Sequence, residues 1–438
     1  MLKPLPAHRF KFVLQSIWMM PSIGRMNSSP SPVLNLLFRL FISHLSLALA
    51  CAGLGLSAGG GLLHAAEAQS SGPSPRVTLF DSGKEGYPRY RIPVVIVAPN
   101  NDVLAFAEGR VGGGGFTGDI DIVVKRSTDA GKTWGPVQKI ADDGPHTFGY
   151  PTPVVERQTK TIWVLFTRSR GDDLEKDIVA GTSKERTRVF VMSSRDNGHT
   201  WSVPRDISAT TRRPEWTWYG LGSGIGLQLQ SGRLVVPAYH NVEGSKEFSS
   251  HVVYSDDRGE TWHLGGDVGG QTGECQIAER RDGSLYINTR NQSGQNWSVR
   301  PFGTNTPPVG PQYNQRLIAA SPDAGKTWGK VTTDPQLYEG VCQGFVYVWP
   351  TDRAGDPPIW MFSNPASPKR RDLTIRVSHD EGRTWPVARL IQEGASEYSC
   401  LTRLPDGQVG CLYERWEDKN IRIFWVRVPL PWLLAGGR

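Results

Sequence analysis

The sequence predicts an all-β protein, a six-bladed β-propeller in which one octamer motif is repeated. The octamer, Ser-x-Asp-x-Gly-x-Thr-Trp, occurs five times in the 438 residues. A period of roughly 60 residues suits four-stranded propeller blades better than helical repeats of about 33–47 residues. Short strand-like runs flank the copies, no amphipathic helical run of any length occurs, and the chain after residue 75 has room for about six units. The copies begin at Ser127, Ser194, Ser255, Ser321 and Ser378.

Each octamer predicts a tight hairpin turn at the end of a strand. The glycine supplies the positive φ that such a turn demands. The aspartate can accept hydrogen bonds from the turn backbone and from the threonine hydroxyl, and the tryptophan buries a large flat surface where the next strand begins. We therefore interpret the five repeated aspartates as structural: Asp129, Asp196, Asp257, Asp323 and Asp380.

The N-terminal segment predicts an exported protein, secreted or periplasmic. An apolar stretch from Leu45 to Leu63 ends in small residues, with Ala66-Glu67-Ala68 as a cleavage site. The alternatives are an uncleaved membrane anchor and lipoprotein processing at Cys51. We expect no membrane span in the mature form. The chain then divides into a leader (1–68), a short linker (69–75) and the propeller domain (76–438).

The charge of the domain argues against nucleic-acid binding. The formal net charge of the chain is +7, from 49 basic and 42 acidic residues. Five of the basic residues and one acidic residue lie in residues 1–68, so the remainder is only weakly basic. Nucleic-acid binders carry clustered basic stripes, and none occurs here. A weakly basic body with a focused cationic pocket suits a small acidic ligand.

Four cysteines follow the leader, and their spacing fits no zinc motif. An exported protein permits disulfides, but a domain of this size does not need them. We expect buried free thiols, with a Cys400–Cys411 bridge as the alternative. The cysteines are Cys275, Cys342, Cys400 and Cys411.

Residues that occur once, between the octamers, are the candidates for chemistry, because unique propeller residues gather around the central channel. Three arginines stand in apolar surroundings: Arg91 in YRIP, Arg290 at the end of LYINTR, and Arg370 in NPASPKRRDLTIR. Converging guanidinium groups would hold one carboxylate by bidentate, charge-assisted hydrogen bonds. This arrangement predicts an acidic sugar as the ligand.

These motifs resemble those of bacterial-type sialidases over roughly residues 76–428. The octamer is the Asp-box, or BNR, repeat, which also occurs in binding propellers and so does not identify an enzyme alone. Arg91 stands in the RIP motif that opens sialidase domains. Glu274 and Arg290 lie in ECQIAERRDGSLYINTR, which is similar to the stretch with the family's catalytic Glu and second triad Arg. Arg370 matches the third triad Arg.

The resemblance extends to three further positions. Tyr398 in SEYSCL matches the family's nucleophile, and Glu414 in GCLYER matches the acid that buttresses the first triad Arg. Arg110 in AFAEGR matches an additional pocket Arg. The resemblance thus implies an exo-α-sialidase, a retaining hydrolase that releases terminal sialic acids from glycoconjugates.

The implied mechanism has a physical basis. A sialoside carries a carboxylate on its anomeric carbon, so a neutral Tyr398 avoids the repulsion that a carboxylate nucleophile would meet. Tyrosine is a weak nucleophile at its free pKa, and Glu274 is the family-matched base. The three arginines would hold the substrate carboxylate and orient the transition state. We expect no metal and no organic cofactor.

The general acid departs from the family's pattern. Sialidases usually carry an acidic residue five positions before the aspartate of the IDIVV-like strand, here Asp121, and that position is Phe116. Phenylalanine cannot donate a proton. The glycine run Gly112–Gly115 allows the alignment to slip, which makes Asp119 the nearest substitute acid/base. Further bulky or apolar replacements predict a reshaped pocket around an intact carboxylate clamp: Tyr150, Ile225 and Phe345.

Two alternative functions remain open. The first is a hydrolase of a related 2-keto-3-deoxy acid, such as Kdn, Kdo or another nonulosonic acid, which Phe116, Tyr150 and Ile225 motivate. The second is a sialic-acid-binding propeller with little or no activity, which the missing acid motivates and the retained Tyr398–Glu274 pair opposes. We expect sialylated glycans or related acidic sugars as partners, no nucleic acid, and a monomer.

Overall fold

A computed structural model describes residues 72–112, 115–245, 247–293, 314–350, 355–367 and 369–435. They belong to one compact unit, Ala68–Arg438. The predicted leader, residues 1–68, lies outside the described residues, as do Gly113 and Gly114 of the glycine run. Within the described part of the chain, no helix is long and apolar enough to cross a membrane.

The fold is all-β with a β-propeller arrangement, as predicted. Among the described residues, three short helices accompany the strands: α1 (Glu175–Ala180), α2 (Ser208–Thr211) and α3 (Leu430–Leu434). The strands are short and mostly antiparallel, and several are buried on both faces. In β7 (Thr161–Ser169), for example, every residue is buried, which matches its continuous apolar run TIWVLF.

Four sheets of four or five strands are separate from one another. The first contains β1 (Val77–Phe80), β23 (Ser399–Arg403), β24 (Val409–Glu417) and β25 (Asn420–Val428). The second contains β10 (Trp216–Leu221), β11 (Leu227–Gln228), β12 (Leu234–Val242), β13 (Phe248–Ser255) and β14 (His263–Asp267). The third contains β15 (Thr272–Glu279), β16 (Leu285–Asn291), β17 (Gln315–Ser321) and β18 (Thr332–Tyr338). The fourth contains β19 (Phe345–Trp349), β20 (Ile359–Pro365), β21 (Arg371–Ser378) and β22 (Val387–Ala395).

The remaining eight strands form one continuous sheet, so the predicted count of six blades is wrong: four blades are separate sheets. The eight-stranded sheet arises because β4 and β6 are joined by a single parallel pair, Ile120 with Thr147. The octamer spacing carries no information about such a pair. The strands are β2 (Arg89–Val97), β3 (Val103–Arg110), β4 (Ile120–Ser127), β5 (Gln138–Ala141), β6 (Thr147–Glu156), β7, β8 (Arg188–Ser194) and β9 (Arg205–Asp206).

Contacts between strands link β6, β2, β23, β19 and β15 in that order. Strand β2 contacts both β6 and β23, and β19 contacts both β15 and β23. The chain ends meet in one sheet, because β1 pairs antiparallel with β25, with Val77 opposite Trp425. Strands β2, β6, β15, β19 and β23 therefore border one region, where single-copy residues from distant parts of the chain can approach one another.

Every octamer forms the turn that its sequence predicts, and its serine is the last residue of a strand. In the first copy, the Asp129 carboxylate accepts hydrogen bonds from the Thr133 hydroxyl (2.6 Å) and the Thr133 N–H (2.9 Å). The glycine N–H donates to the serine hydroxyl, as Gly131 does to Ser127 at 2.8 Å. The residue before the glycine also has a positive φ, for example 59° at Ala130, which residue-type reasoning did not anticipate.

All four cysteines that follow the leader are buried free thiols. This confirms the expectation from the sequence, and the alternative Cys400–Cys411 bridge is not formed. The two lie on adjacent strands, where Cys400 pairs with Leu412 and Leu401 pairs with Cys411. Burial raises the pKa of the Cys400 thiol to about 12, which keeps it protonated and unreactive.

Candidate active site

Arg91 lies at a strained point of β2. The register of β2 against β3 shifts between Arg91 and Val94. The next residue, Ile92, has φ 57°, a left-handed conformation that β-branched residues rarely adopt. Its N–H donates to Oε1 of Glu414 at 2.6 Å. Strain of this kind persists where surrounding contacts impose it, and it concentrates at functional sites.

Glu414, fully buried in β24, holds one edge of the Arg91 guanidinium with two hydrogen bonds. Arg91 Nε donates to Glu414 Oε1 at 2.8 Å, and Nη2 donates to Oε2 at 3.0 Å. Burial alone would lower the pKa of Arg91, but the Glu414 and Glu397 carboxylates raise it well above its ordinary value. The Arg91 side chain therefore stays charged and fixed in orientation, although only 11% of it is exposed.

Glu397 is a site residue that sequence reasoning missed. Its Oε2 accepts hydrogen bonds from Arg91 Nη2 (3.2 Å) and from Arg370 Nη1 (2.5 Å), so one carboxylate bridges two of the three arginines. Its Oε1 accepts from Trp416 Nε1 at 2.7 Å. The only sequence signal was its position directly before Tyr398, and nothing in the residue type distinguishes it from a surface glutamate.

Arg370 precedes β21 and is held on its other side by backbone. Its Nη2 and Nε donate to the Val341 carbonyl at 2.6 and 3.2 Å. Val341 itself has φ 56°, a second β-branched residue in the left-handed region beside an arginine. The guanidinium groups of Arg91 and Arg370 lie 5.5 and 5.7 Å from the centre of the Tyr398 ring.

Tyr398, Glu274 and Arg290 form a second network in contact with the first. The Tyr398 hydroxyl donates to Glu274 Oε1, and Glu274 Oε2 accepts from Arg290 Nη1 at 2.9 Å. Tyr398 is 3% exposed. Burial raises its pKa well above the usual value, and the Glu274 charge raises it further, while Arg290 and Arg370 oppose the rise. The phenol is therefore neutral at rest and needs a base, and Glu274 is hydrogen-bonded to it.

The hydrogen bonds leave N–H groups of this cluster without a protein acceptor. Arg91 Nη1 and Arg290 Nη2 make no hydrogen bond to any residue that the structure describes. Arg290 Nε is buried, and it too has no acceptor within the described ranges. Guanidinium donors that are fixed in orientation but not satisfied can bind a carboxylate from outside the protein.

Arg110, at the end of β3, lies beside Phe116. Its Nη2 and Nε donate to Glu108 Oε2 at 2.6 and 2.9 Å, and its Nη1 donates to the Gly115 carbonyl at 2.7 Å. The guanidinium lies 5.5 Å from the centre of the Phe116 ring. Phe116 packs against the apolar cluster that contains Tyr398.

Asp119, the substitute acid expected from the sequence, is tied to a different set of groups. Its backbone carbonyl accepts the Val111 N–H at 2.9 Å, and its charge acts on Asp121. Asp121 accepts a hydrogen bond from the Tyr87 hydroxyl (2.7 Å) and lies 3.6 Å from Lys139. Among the described residues, no hydrogen bond or ion pair joins the Asp119 carboxylate to Tyr398, to Glu274 or to the three arginines.

Only one of the three other predicted pocket replacements packs with Tyr398. Tyr150 is buried in the apolar cluster of Tyr398, and it accepts a hydrogen bond from the Tyr239 hydroxyl at 3.3 Å. Ile225 and Phe345 instead belong to the cluster built around β2, β3 and β23. Of the four expected replacements, Phe116 and Tyr150 therefore share the apolar cluster of Tyr398.

Comparisons with known proteins identify relatives of this chain. The family model described as a BNR repeat-like domain matches residues 101–411. A sialidase of Micromonospora viridifaciens is 34% identical over 352 residues, which cover 77% of this chain and 51% of that protein. This chain therefore spans about half the length of that relative. Sialidase-2 of Cricetulus griseus is 30% identical over 388 residues, which cover 81% of this chain and 96% of that protein.

The same likeness appears among solved structures. The structure of the Hadza microbial sialidase Hz136 superposes with a TM-score of 0.72 at 28% identity, covering 82% of this chain and 69% of that one.

Proposed function

This chain belongs to the sialidase family, a family of glycoside hydrolases with BNR repeats, and we propose that it is an exo-α-sialidase that removes terminal sialic acids from glycoconjugates with retention. One observation carries the proposal: Arg91 and Arg370 lie beside a buried tyrosine that is hydrogen-bonded to a glutamate, Arg290 is paired with that glutamate, and Arg91 and Arg290 have N–H groups still open to a ligand.

Arg91, Arg290 and Arg370 would bind the substrate carboxylate. Glu414 and Glu397 hold two of these guanidinium groups in place before the ligand arrives, which lowers the entropy cost of binding. Arg110 would contribute a fourth positive charge at the edge of the pocket.

Tyr398 would attack the anomeric carbon. As its oxygen forms the new C–O bond, its proton passes to Glu274, and the bond to the leaving-group oxygen breaks. The ion pair with Arg290 holds the Glu274 carboxylate in position before it takes the proton. Hydrolysis of the tyrosyl intermediate then returns the proton from Glu274 to Tyr398.

The variant Tyr398→Phe tests this mechanism. It removes the nucleophilic oxygen and leaves the ring, so we expect turnover of an aryl sialoside to fall at least about 10³-fold. Tyr413→Phe is the matched control, since Tyr413 is a buried tyrosine whose hydroxyl binds Gln392 at 3.0 Å. Equal turnover of Tyr398→Phe and the control would sink the mechanism.

A related acidic sugar is the second candidate substrate. The buried Tyr150–Tyr239 pair, in the same apolar cluster as Tyr398, favours a substrate that differs from N-acetylneuraminic acid away from the carboxylate. A panel of Kdn, Kdo and N-acetylneuraminic acid glycosides tests it, and a strong preference for the last would exclude it.

We further propose that residues 1–68 are a leader that is removed on export, followed by a linker (69–75) and a monomeric domain (76–438). Sequencing the N-terminus of the exported protein and measuring its mass in solution test these statements. A mature N-terminus before residue 68, or a dimer, would contradict them.

A further inference from the structure

Glu175 has a carboxyl oxygen that no hydrogen bond satisfies. It is the first residue of α1, which lies between β7 and β8 and packs against β10. Its Oε2 is buried and has no partner among the residues that the structure describes. An ionised carboxylate is costly to bury in this state, so such a group either carries a proton or meets a ligand.

Glu175 lies within the electrostatic reach of the site. The charges of Arg110 on β3, Arg290 on β16 and Glu274 on β15 all act on it. Its own charge acts on Tyr239 of β12, on which Glu274 also acts. In addition, Ile178 of the same helix belongs to the apolar cluster that contains Tyr398 and against which Phe116 packs.

The surroundings of Glu175 favour its protonated form. Burial raises its pKa to about 8, Arg110 and Arg290 oppose the rise, and Glu274 adds to it. At neutral pH the carboxyl therefore holds a proton, which a general acid must do. Phe116 has no proton to give, and the charge of Asp119 acts on Asp121 in the network of Tyr87 and Lys139.

We propose that Glu175 is the general acid and base of this chain, in place of the acid that Phe116 cannot provide. This inference rests on the proposed sialidase function. In the first step, the Glu175 proton passes to the glycosidic oxygen as the bond from that oxygen to the anomeric carbon breaks, and the aglycone leaves as an alcohol. In the second step, the Glu175 carboxylate takes a proton from water while the water oxygen replaces Tyr398 at the anomeric carbon.

A comparison of two leaving groups tests the proposal. An aryl sialoside leaves without protonation, whereas the lactose of sialyl-lactose requires it. We expect Glu175→Gln to lower kcat/KM for sialyl-lactose about 10²–10⁴-fold and to change kcat/KM for the aryl sialoside less than about tenfold. The matched control is Asp177→Asn on the same helix, which we expect to leave both values unchanged.

The pH profile supplies a second readout. Wild-type kcat/KM for sialyl-lactose should fall as pH rises through about 8, because Glu175 then loses its proton. The kcat/KM of the wild type for the aryl sialoside should not show this fall at alkaline pH. The Glu175→Asp variant should have a lower kcat/KM for sialyl-lactose but should still show the fall. If kcat/KM of Glu175→Gln for sialyl-lactose fell at the same pH as that of the wild type, the assignment would be overturned.

The outcomes separate this inference from the proposed function. Wild-type protein that cleaves neither substrate refutes the sialidase proposal itself. Wild-type protein that cleaves both, with Glu175→Gln equally active on sialyl-lactose, refutes only the role of Glu175. A selective loss on sialyl-lactose in Asp119→Asn instead of Glu175→Gln would assign the acid to Asp119.

Discussion

Replacing Glu414 with glutamine should weaken both the fold and the clamp. The substitution Glu414→Gln keeps the shape of the side chain and removes its charge. The amide oxygen can take the place of Oε1 and keep the bonds from Arg91 Nε and Ile92 N–H. The amide nitrogen then faces Arg91 Nη2, so two donors meet where a 3.0 Å ionic hydrogen bond was.

The size of the effect follows from the burial of the pair. Glu414 is fully buried, and breaking a buried ion pair by removing one partner costs about 3–5 kcal/mol. Glu397 remains 3.2 Å from Arg91 and still compensates part of its charge, although it is also paired with Arg370. We therefore take the lower end of that range. For a domain of about 360 residues, a loss of about 3 kcal/mol lowers Tm by about 4 °C.

Thermal unfolding followed by tryptophan fluorescence measures this loss. The control is Glu417→Gln on the same strand, where the carboxylate pairs with Arg76 (2.7 Å) and Arg415 (3.0 Å) at the surface. Exposed pairs contribute less than about 1 kcal/mol, so the control should shift Tm by about 1 °C or less. We also expect Glu414→Gln to raise KM for an aryl sialoside. Equal Tm shifts in the two variants would refute the reasoning.

Three other predictions concern the clamp, the octamers and the thiols. Arg370→Lys cannot span the Val341 carbonyl, Glu397 and a ligand at once, so KM for an aryl sialoside should rise about 10–100-fold with a smaller change in kcat; an unchanged KM would contradict this. Burial alone would raise the pKa of Asp380, but hydrogen bonds from Thr384 and Ser378 lower it to about 2. Its contribution to the free energy of unfolding is therefore present above pH 4 and lost as pH falls through 2. Between these pH values the stability of Asp380→Asn should fall less than that of the wild type, which acid unfolding of both proteins measures. The four described cysteines are buried and free, so a thiol reductant should leave Tm unchanged and iodoacetamide should label them only after unfolding.

Much of the fold could be predicted because the octamer encodes a local structure. Its serine, aspartate, glycine and threonine satisfy one another within a few residues, so the turn is independent of the rest of the chain. The number of separate sheets was not predictable in this way, since one pair between Ile120 and Thr147 merges two strand groups.

The site residues were predictable only where a motif carries them. No local motif identifies Glu397, because its role depends on a hydrogen bond from Arg370, which lies 27 positions earlier in the chain. Likewise, no residue pattern indicates that Oε2 of Glu175 is buried without a hydrogen-bond partner among the residues that the structure describes. Ile225 and Phe345 were expected at the pocket from motif position, but their side chains pack in another cluster.

The pairing of β1 with β25 also constrains how the protein is made. Val77 can pair with Trp425 only after Trp425 is synthesised, hundreds of residues later, and loops of that length close slowly. Until then β1 has no partner strand and β2 lacks its contacts with β23, so the growing domain exposes an unpaired strand edge that can aggregate. The domain therefore cannot complete its fold from the N-terminus onward during synthesis.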